Sequence, residues 1–322
     1  MNQKGLSVVL ILLLLGISVF PITAQDIEKS SLSTSRSNWL YVGGSGPENY
    51  TKIQDAIDDS SPGDTVFVYH GTYYERVTID KSIDLLGESK STTIIDGIDY
   101  GIAVTAQDIL TSMVNISGFT IKHANTGLII RNYEDKIRNI NIFDTIITQC
   151  VDGLEVNGGK NCTIYKNIIK DNLEGILAYG SNCYYTQNII KNTSIGITIG
   201  FSQQIFEKNT IEDNGKGMRL SLDSRTTIID NNFINNENDT DIKDTFFSII
   251  PFGGFQRFHT KWSGNYWDKW VTIDPKPLRT KYYLTIQITT DLHEWYKAFG
   301  PFRFIEFDWH PAQEPYDIPE MR

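Results

Sequence analysis

The sequence predicts an all-β protein: a parallel β-helix of about eight coils, with a helix at its N-terminal end and a Trp-rich C-terminal cap. Three observations carry this. The phrase KNIIKDNLEG (166–175) returns as QNIIKNTSIG (187–196) and again as KNTIEDNGKG (208–217), a spacing of 21 residues. Within each repeat the apolar residues stand two apart in short runs, which is the strand period, and no run is long enough for a helix. Between the runs lie Asn and Gly, residues that tolerate the positive φ of tight bends. A repeat holding three short strands closes on itself and stacks on its neighbour.

The register follows from Gly127, Gly153, Gly175, Gly196 and Gly217. Six residues before each glycine stand Ile121, Ile147, Ile169, Ile190 and Ile211, and one residue after stand Leu128, Leu154, Ile176, Ile197 and Met218. Three after stand Ile130, Val156, Ala178, Ile199 and Leu220; eleven before stand Ile116, Ile142, Ile164, Tyr185 and Phe206. These columns are expected to face inward. Asn167, Asn188 and Asn209 should form one buried column whose amides bond to each other and to the bend backbone. A leucine-rich repeat has a similar length, but isoleucine dominates here and three apolar runs leave no room for its convex element.

The remaining segments follow in order. Residues 1–24 read as a signal peptide: Lys4, then an apolar run from Leu6 to Phe20, then Pro21 and Ala24. The run is short for a membrane span, and no span is expected after its cleavage, which predicts a secreted, periplasmic or cell-surface protein. Residues 25–38 are a Ser-rich linker and 39–64 an N-terminal cap, in which Ile53, Ala56 and Ile57 stand at helical spacing before Pro62 and Gly63. The β-helix proper is assigned to 65–245, with TTIIDNNFINNEND (226–239) as a degraded last coil. Residues 246–322 hold five of the six tryptophans and are expected to plug the open end.

A formal charge of −10 argues against broad electrostatic capture of nucleic acid. An acidic surface can still meet a polyanion through bound Ca²⁺. Three cysteines cannot all pair within the chain. Cys162 and Cys183 share one inward column and read as two stacked buried thiols; neighbouring rungs permit a disulfide's Cα separation, but stacked side chains point in parallel.

The stretch IQDAIDDSSPGDTVFVYHGTYYERVTIDKSIDLLGE (53–88), with TTIIDG (92–97) and NYWD (265–268), resembles β-helix proteins of the NosD type, a group also described as carbohydrate-binding or sugar-hydrolase-like. The resemblance spans about residues 39–270 and implies a right-handed coil, export and a sugar ligand. It transfers no catalytic residue. The family's name implies copper, yet His70, His123, His259, His293 and His310 share no short ligand spacing. The motifs of pectin methylesterases and polygalacturonases are absent from the sequence.

One cluster is a candidate for chemistry. Asp152 and Glu174 hold the same position on successive coils, Asp171 lies at the bend nearby, and Lys170 and Lys191 share an outward column. The three carboxylates could hold Ca²⁺, and a lysine could serve as the base of a polysaccharide lyase. Bend positions are also the usual place for solvated charges. Three functions therefore stay open: binding of a polysaccharide or surface glycan, a lyase or glycoside hydrolase working on the side wall, and a structural surface protein without ligand. Ile146, Ile168 and Ile189 form an outward apolar stripe that the C-terminal strands YYLTIQITT (282–290) and FRFIEFDW (302–309) are expected to cover.

Overall fold

The computed structural model describes residues 38–107, 113–131, 139–200, 203–221, 225–250, 254–256, 260–270, 276–290, 293–308 and 310–318. The chain divides into two units, residues 1–36 and 37–322, and all described residues belong to the second. The export signal expected over 1–24 and almost all of the 25–38 linker lie outside the described residues. Among the described residues, no helix is long and apolar enough to cross a membrane.

The chain winds as a parallel β-solenoid of about eight turns with three walls. Wall one is a ten-stranded parallel sheet running from Trp39–Val42 to Lys261–Ser263. Wall two stacks Ile146–Thr148 on Ile168–Lys170 and Ile189–Lys191. Wall three stacks the later part of the strand Ile146–Lys160 on Glu174–Ser181, Ile195–Ile199 and Lys216–Ser221. The inward columns are those read from the repeat. Ile147, Ile169, Ile190 and Ile211 are register partners and have no exposed surface, and Leu154, Ile176, Ile197 and Met218 likewise.

The corners show why the phrase recurs. Residues in the left-handed region stack at each turn: Lys166, Gln187 and Lys208 between walls one and two, Asp171, Asn192 and Asp213 between walls two and three. This conformation is costly for a residue with a Cβ, so the surroundings must hold it. An asparagine ladder does so. Asn167 Nδ2 donates to Asn188 Oδ1 at 3.1 Å, Asn188 Nδ2 to Asn209 Oδ1 at 3.0 Å, and Asn209 Nδ2 to Asn231 Oδ1 at 2.9 Å. Each Nδ2 also donates to a wall-one carbonyl, and each Oδ1 accepts the backbone N–H of the residue before it in the ladder. Gly175 serves a second need. A Cβ there would stand 2.4 Å from the Gly196 carbonyl oxygen, so only glycine admits the next rung.

At the N-terminal end, α1 (Ile53–Asp59) buries Ile53, Ala56 and Ile57 against the first coil, as expected. Its capping is non-local. Glu75 accepts from the N–H groups of Ile53 and Gln54, and Lys81 donates to the carbonyls of Ile57, Asp58 and Ser60. Charges of those signs at those ends also oppose the helix dipole.

The boundaries differ from the sequence reading at both ends. Parallel pairing starts at Trp39–Val42 rather than at residue 65, because that strand aligns with Thr65–Val68. It also continues past residue 245. Lys261–Ser263 and Tyr266–Trp267 pair in parallel with the 226–239 coil, making one more rung. Trp262 and Trp267 are inward core residues of that rung, and Trp267 stacks on Phe233 at 4.2 Å. The asparagine ladder ends here too. Asn265 donates through N and Nδ2 to Asp308 Oδ2 at 3.1 and 3.0 Å, and Trp267 Nε1 donates to the same oxygen.

The expected cover of the isoleucine stripe is not where these strands go. Lys276–Thr290 and His293–Asp308 pair with each other as an antiparallel hairpin, and the first of them pairs with Asn238–Ile250. Backbone pairing onto the last rung satisfies a whole sheet edge, which a side-chain contact to the stripe would leave open. Ile146, Ile168 and Ile189 are half-buried by their own neighbours.

Candidate functional site

On wall three the outward positions, just before the repeat glycine and two and four after it, alternate with the core columns; on some rungs they are themselves covered, as at Ile129, Ile195 and Thr198. Register places Thr126, Asp152, Glu174, Ile195, Lys216 and Asn238 in one outward line. Beside it run Ile129, Glu155, Leu177, Thr198, Arg219 and Asp241, and beyond these Asn157, Tyr179 and Gly200. One patch of this surface gathers Asp152, Glu155, Glu174, Tyr179 and Arg219.

Tyr179 is 38% exposed and leans over the next rung at Gly200, where an added Cβ would stand 2.4 Å from the ring's Cδ1. Glycine therefore lets an aromatic ring lie close to the sheet. Burial and the carboxylates Glu174, Glu155 and Asp152 push the Tyr179 hydroxyl's pKa up, against a smaller opposing effect of Arg219. Arg219 reaches across two rungs to Glu174 Oε1 at 3.5 Å, and Thr198 Oγ1 donates to Glu174 Oε2 at 2.8 Å. Lys216 is paired with Asp241 at 2.6 Å. Among the described residues, no ion pair is formed by Asp152. Burial, then the nearby charges of Glu174 and Glu155, raise its pKa above the ordinary aspartate value.

The structure brings together Asp152 and Glu174, which are direct register partners on adjacent strands. Asp171 goes elsewhere. It stands in the left-handed corner, 3.5 Å from Lys170 Nζ, and accepts from Asn192 Nδ2 at 3.3 Å. Lys170 and Lys191 share a column, but on wall two, and Lys191 is paired with Glu212 at 3.2 Å. Asp171, Asn172 and Leu173 of the corner separate Lys170 from Glu174 along the chain. Glu155, Tyr179 and Arg219 were missed by the sequence reading. The signal for them existed: positions two and four after each glycine must point outward if positions one and three point inward.

Residues 57–271, two thirds of the chain, match the family described as periplasmic copper-binding protein (NosD). The chain belongs to this family. No curated protein matches this NosD-family chain by sequence. Among solved structures, the pectate lyase Pel9A is similar with a TM-score of 0.51 and 14% identity, covering 80% of this chain and 78% of that one. A pectin methylesterase from carrot (TM-score 0.45, 15% identity) covers 66% of this chain and 83% of its own. An alginate lyase from Paenibacillus sp. str. FPU-7 (0.42, 10%) covers 65% and 93%. At these identities the likeness is one of fold alone, a β-helix.

The NosD family's description makes copper the metal to test against the donors present. His70 is held by Glu88 at 2.8 Å and His123 by Asp96 at 2.8 Å, on separate parts of the coil. Met218 is wholly buried and Met113 exposed. Among the described residues, no three His, Cys, Asp or Glu side chains come together in a way that could hold a metal ion. Copper sites need soft or imidazole ligands held in common, and these donors do not fit one. The same convergence is lacking for Ca²⁺ at Asp152, Glu174 and Asp171.

Proposed function

We propose that this NosD-family protein binds a carbohydrate on wall three, across Tyr179, outside the cytoplasm. The observation that carries the reading is the placement of the Tyr179 ring over Gly200, on strands that also carry Asp152, Glu155 and Glu174, with Arg219 paired to Glu174. An exposed aromatic ring offers an apolar face to the C–H face of a pyranose. Carboxylates accept hydrogen bonds from hydroxyl groups, and Arg219 donates them. The balance of charge in the patch, Asp152, Glu155 and Glu174 against Arg219, disfavours an acidic polysaccharide and suits a neutral or amine-bearing one. Export rests on the N-terminal apolar run and on the family's periplasmic description.

A glycan array probed with the purified protein, with and without Ca²⁺, tests this. Tyr179→Ala should lower affinity for any glycan found by about tenfold or more, a loss typical of an aromatic anchor. Undiminished binding by that variant would place the ligand elsewhere, and binding to no glycan would favour a structural role. One observation favours a second reading, glycoside hydrolysis. A carboxyl with a raised pKa, as at Asp152, can donate a proton to a glycosidic oxygen. Reducing ends released by the wild type and not by Asp152→Asn, with binding intact, would establish it.

A further inference from the structure

We propose that Cys162 and Cys183 are a disulfide-forming pair that staples two adjacent rungs directly behind the candidate binding wall. Cys162 opens the rung that carries Glu174 and Tyr179, and Cys183 opens the next rung, which carries Ile195 and Gly200. Thr163 is the register partner of Tyr184, and Tyr184 N donates to the Cys162 carbonyl at 2.8 Å, so the two cysteines face each other across one rung spacing. That spacing of ~4.8 Å falls inside the range of Cα separations found in disulfides, roughly 4.4–6.8 Å.

Parallel stacking would ordinarily keep two such sulfurs apart. Here Cys183 leans back along the axis: its Sγ donates to the carbonyl of Gly159, three residues before Cys162 in the chain, at 3.4 Å. Glycines make the room. An added Cβ would stand 3.0 Å from Cys162 Sγ at Gly159 and 2.8 Å from Cys183 Sγ at Gly180. Cys162 Sγ donates to the Lys160 carbonyl at 3.6 Å, and the neighbouring thiol holds that of Cys183 below its ordinary pKa and raises that of Cys162. Cys150 is different. Its Sγ donates to the Thr148 carbonyl at 3.3 Å, and burial pushes its pKa up to about 11.

The oxidant is a small disulfide, of the class met in exporting compartments. The Cys183 thiolate attacks one of its sulfurs, forming a mixed disulfide and releasing one thiolate. Cys162 then gives up its proton and attacks Cys183 Sγ, forming the Cys162–Cys183 bond and releasing the second thiolate. The two protons of the protein thiols end on the two released thiols. Both cysteines are buried, at 0% and 1% exposure, so exchange proceeds through local opening or during folding.

The test is refolding of the purified protein in a buffer of oxidised and reduced glutathione, followed by alkylation of remaining thiols and tryptic mapping. The peptides 161–166 and 171–191 should appear joined, the joined mass lower than their sum by two hydrogens and restored by reductant, while 139–160 with Cys150 appears alkylated. The oxidised protein should melt several degrees higher than the reduced one. Cys162→Ala and Cys183→Ala should each abolish that rise, whereas Cys150→Ala should keep it. Recovery of 161–166 and 171–191 as separate alkylated peptides, or a link that involves Cys150, overturns the proposal.

Discussion

Replacing Asn209 by alanine removes the middle of the buried ladder. Its Nδ2 donates to the carbonyls of Tyr185 (2.9 Å) and Glu207 (3.2 Å) and to Asn231 Oδ1 (2.9 Å), while its Oδ1 accepts from Asn188 N and Nδ2 at 3.0 Å each. Asn188 Nδ2 keeps the Ile164 carbonyl, and Asn231 Oδ1 keeps the Asn209 N–H. The Asn188 backbone N–H loses its ladder acceptor in a fully buried site. Leaving a buried polar group unpaired costs about 1–3 kcal/mol, and the weakened bonds to two carbonyls add about 1 kcal/mol. A loss of about 2–4 kcal/mol, or a fall in Tm of roughly 5–10 °C, is expected. Urea unfolding followed by circular dichroism measures it, with Asn157→Ala, an exposed residue, as the control within about 0.5 kcal/mol. The isosteric Asn209→Asp is more informative. At pH 7 it turns a donor into a charged acceptor facing three acceptors, so it should destabilise more than alanine. Its carboxyl pKa would be raised in the folded state, so the deficit should shrink as pH falls toward about 3.9. An Asn209→Ala protein within about 0.5 kcal/mol of wild type would refute the claim that the ladder holds the corners.

Ile169→Ala should cost about 2–5 kcal/mol, because the side chain is fully buried, whereas Lys170→Ala beside it should change stability by about 0.5 kcal/mol or less. Equal effects in denaturant titrations would mean that the register is shifted by one. Asp308→Ala strips the last acceptor from Asn265 and Trp267 and should lower Tm, and a chain ending at residue 270 should aggregate in light scattering. A monomeric truncated chain with an unchanged melting curve would show that the C-terminal hairpin is a separate module. For Asp152 the folded pKa is raised, so its stabilising contribution is complete below the ordinary value of 3.8 and is lost as pH rises through the folded value. Asp152→Asn should accordingly melt above wild type at pH 7, with the difference closing as pH falls below 3.8; a gap independent of pH would remove the repulsion argument.

The repeat made most of the coil legible in the amino-acid order alone. A side chain at Ile169 or Ile190 must match the rung below it, so its identity is written at a fixed offset from Gly175 or Gly196, and burial follows from that offset alone. Asn188 and Asn209 could be placed in one buried column by the same count. The candidate site was half legible. Asp152 and Glu174 shared an offset and proved to be partners, while Asp171, near them in sequence, was carried around a corner by its left-handed backbone.

What the sequence by itself determined is therefore whatever repeats: the strand period, the inward columns, the ladder and the N-terminal helix over the first coil. These depend on neighbours at fixed sequence distance. What only the tertiary structure decided are contacts made once. Arg219 reaches two rungs back to Glu174, Tyr179 leans over Gly200, and Asp308 closes a ladder whose nearest member in sequence, Asn265, is 43 residues away. Trp262 and Trp267, read from composition as a plug, became the core of one more rung, because their strands could pair with the coil before them. A local period constrains such a contact not at all; it is set by which sheet edge and which buried donor are left unsatisfied when the repeat ends.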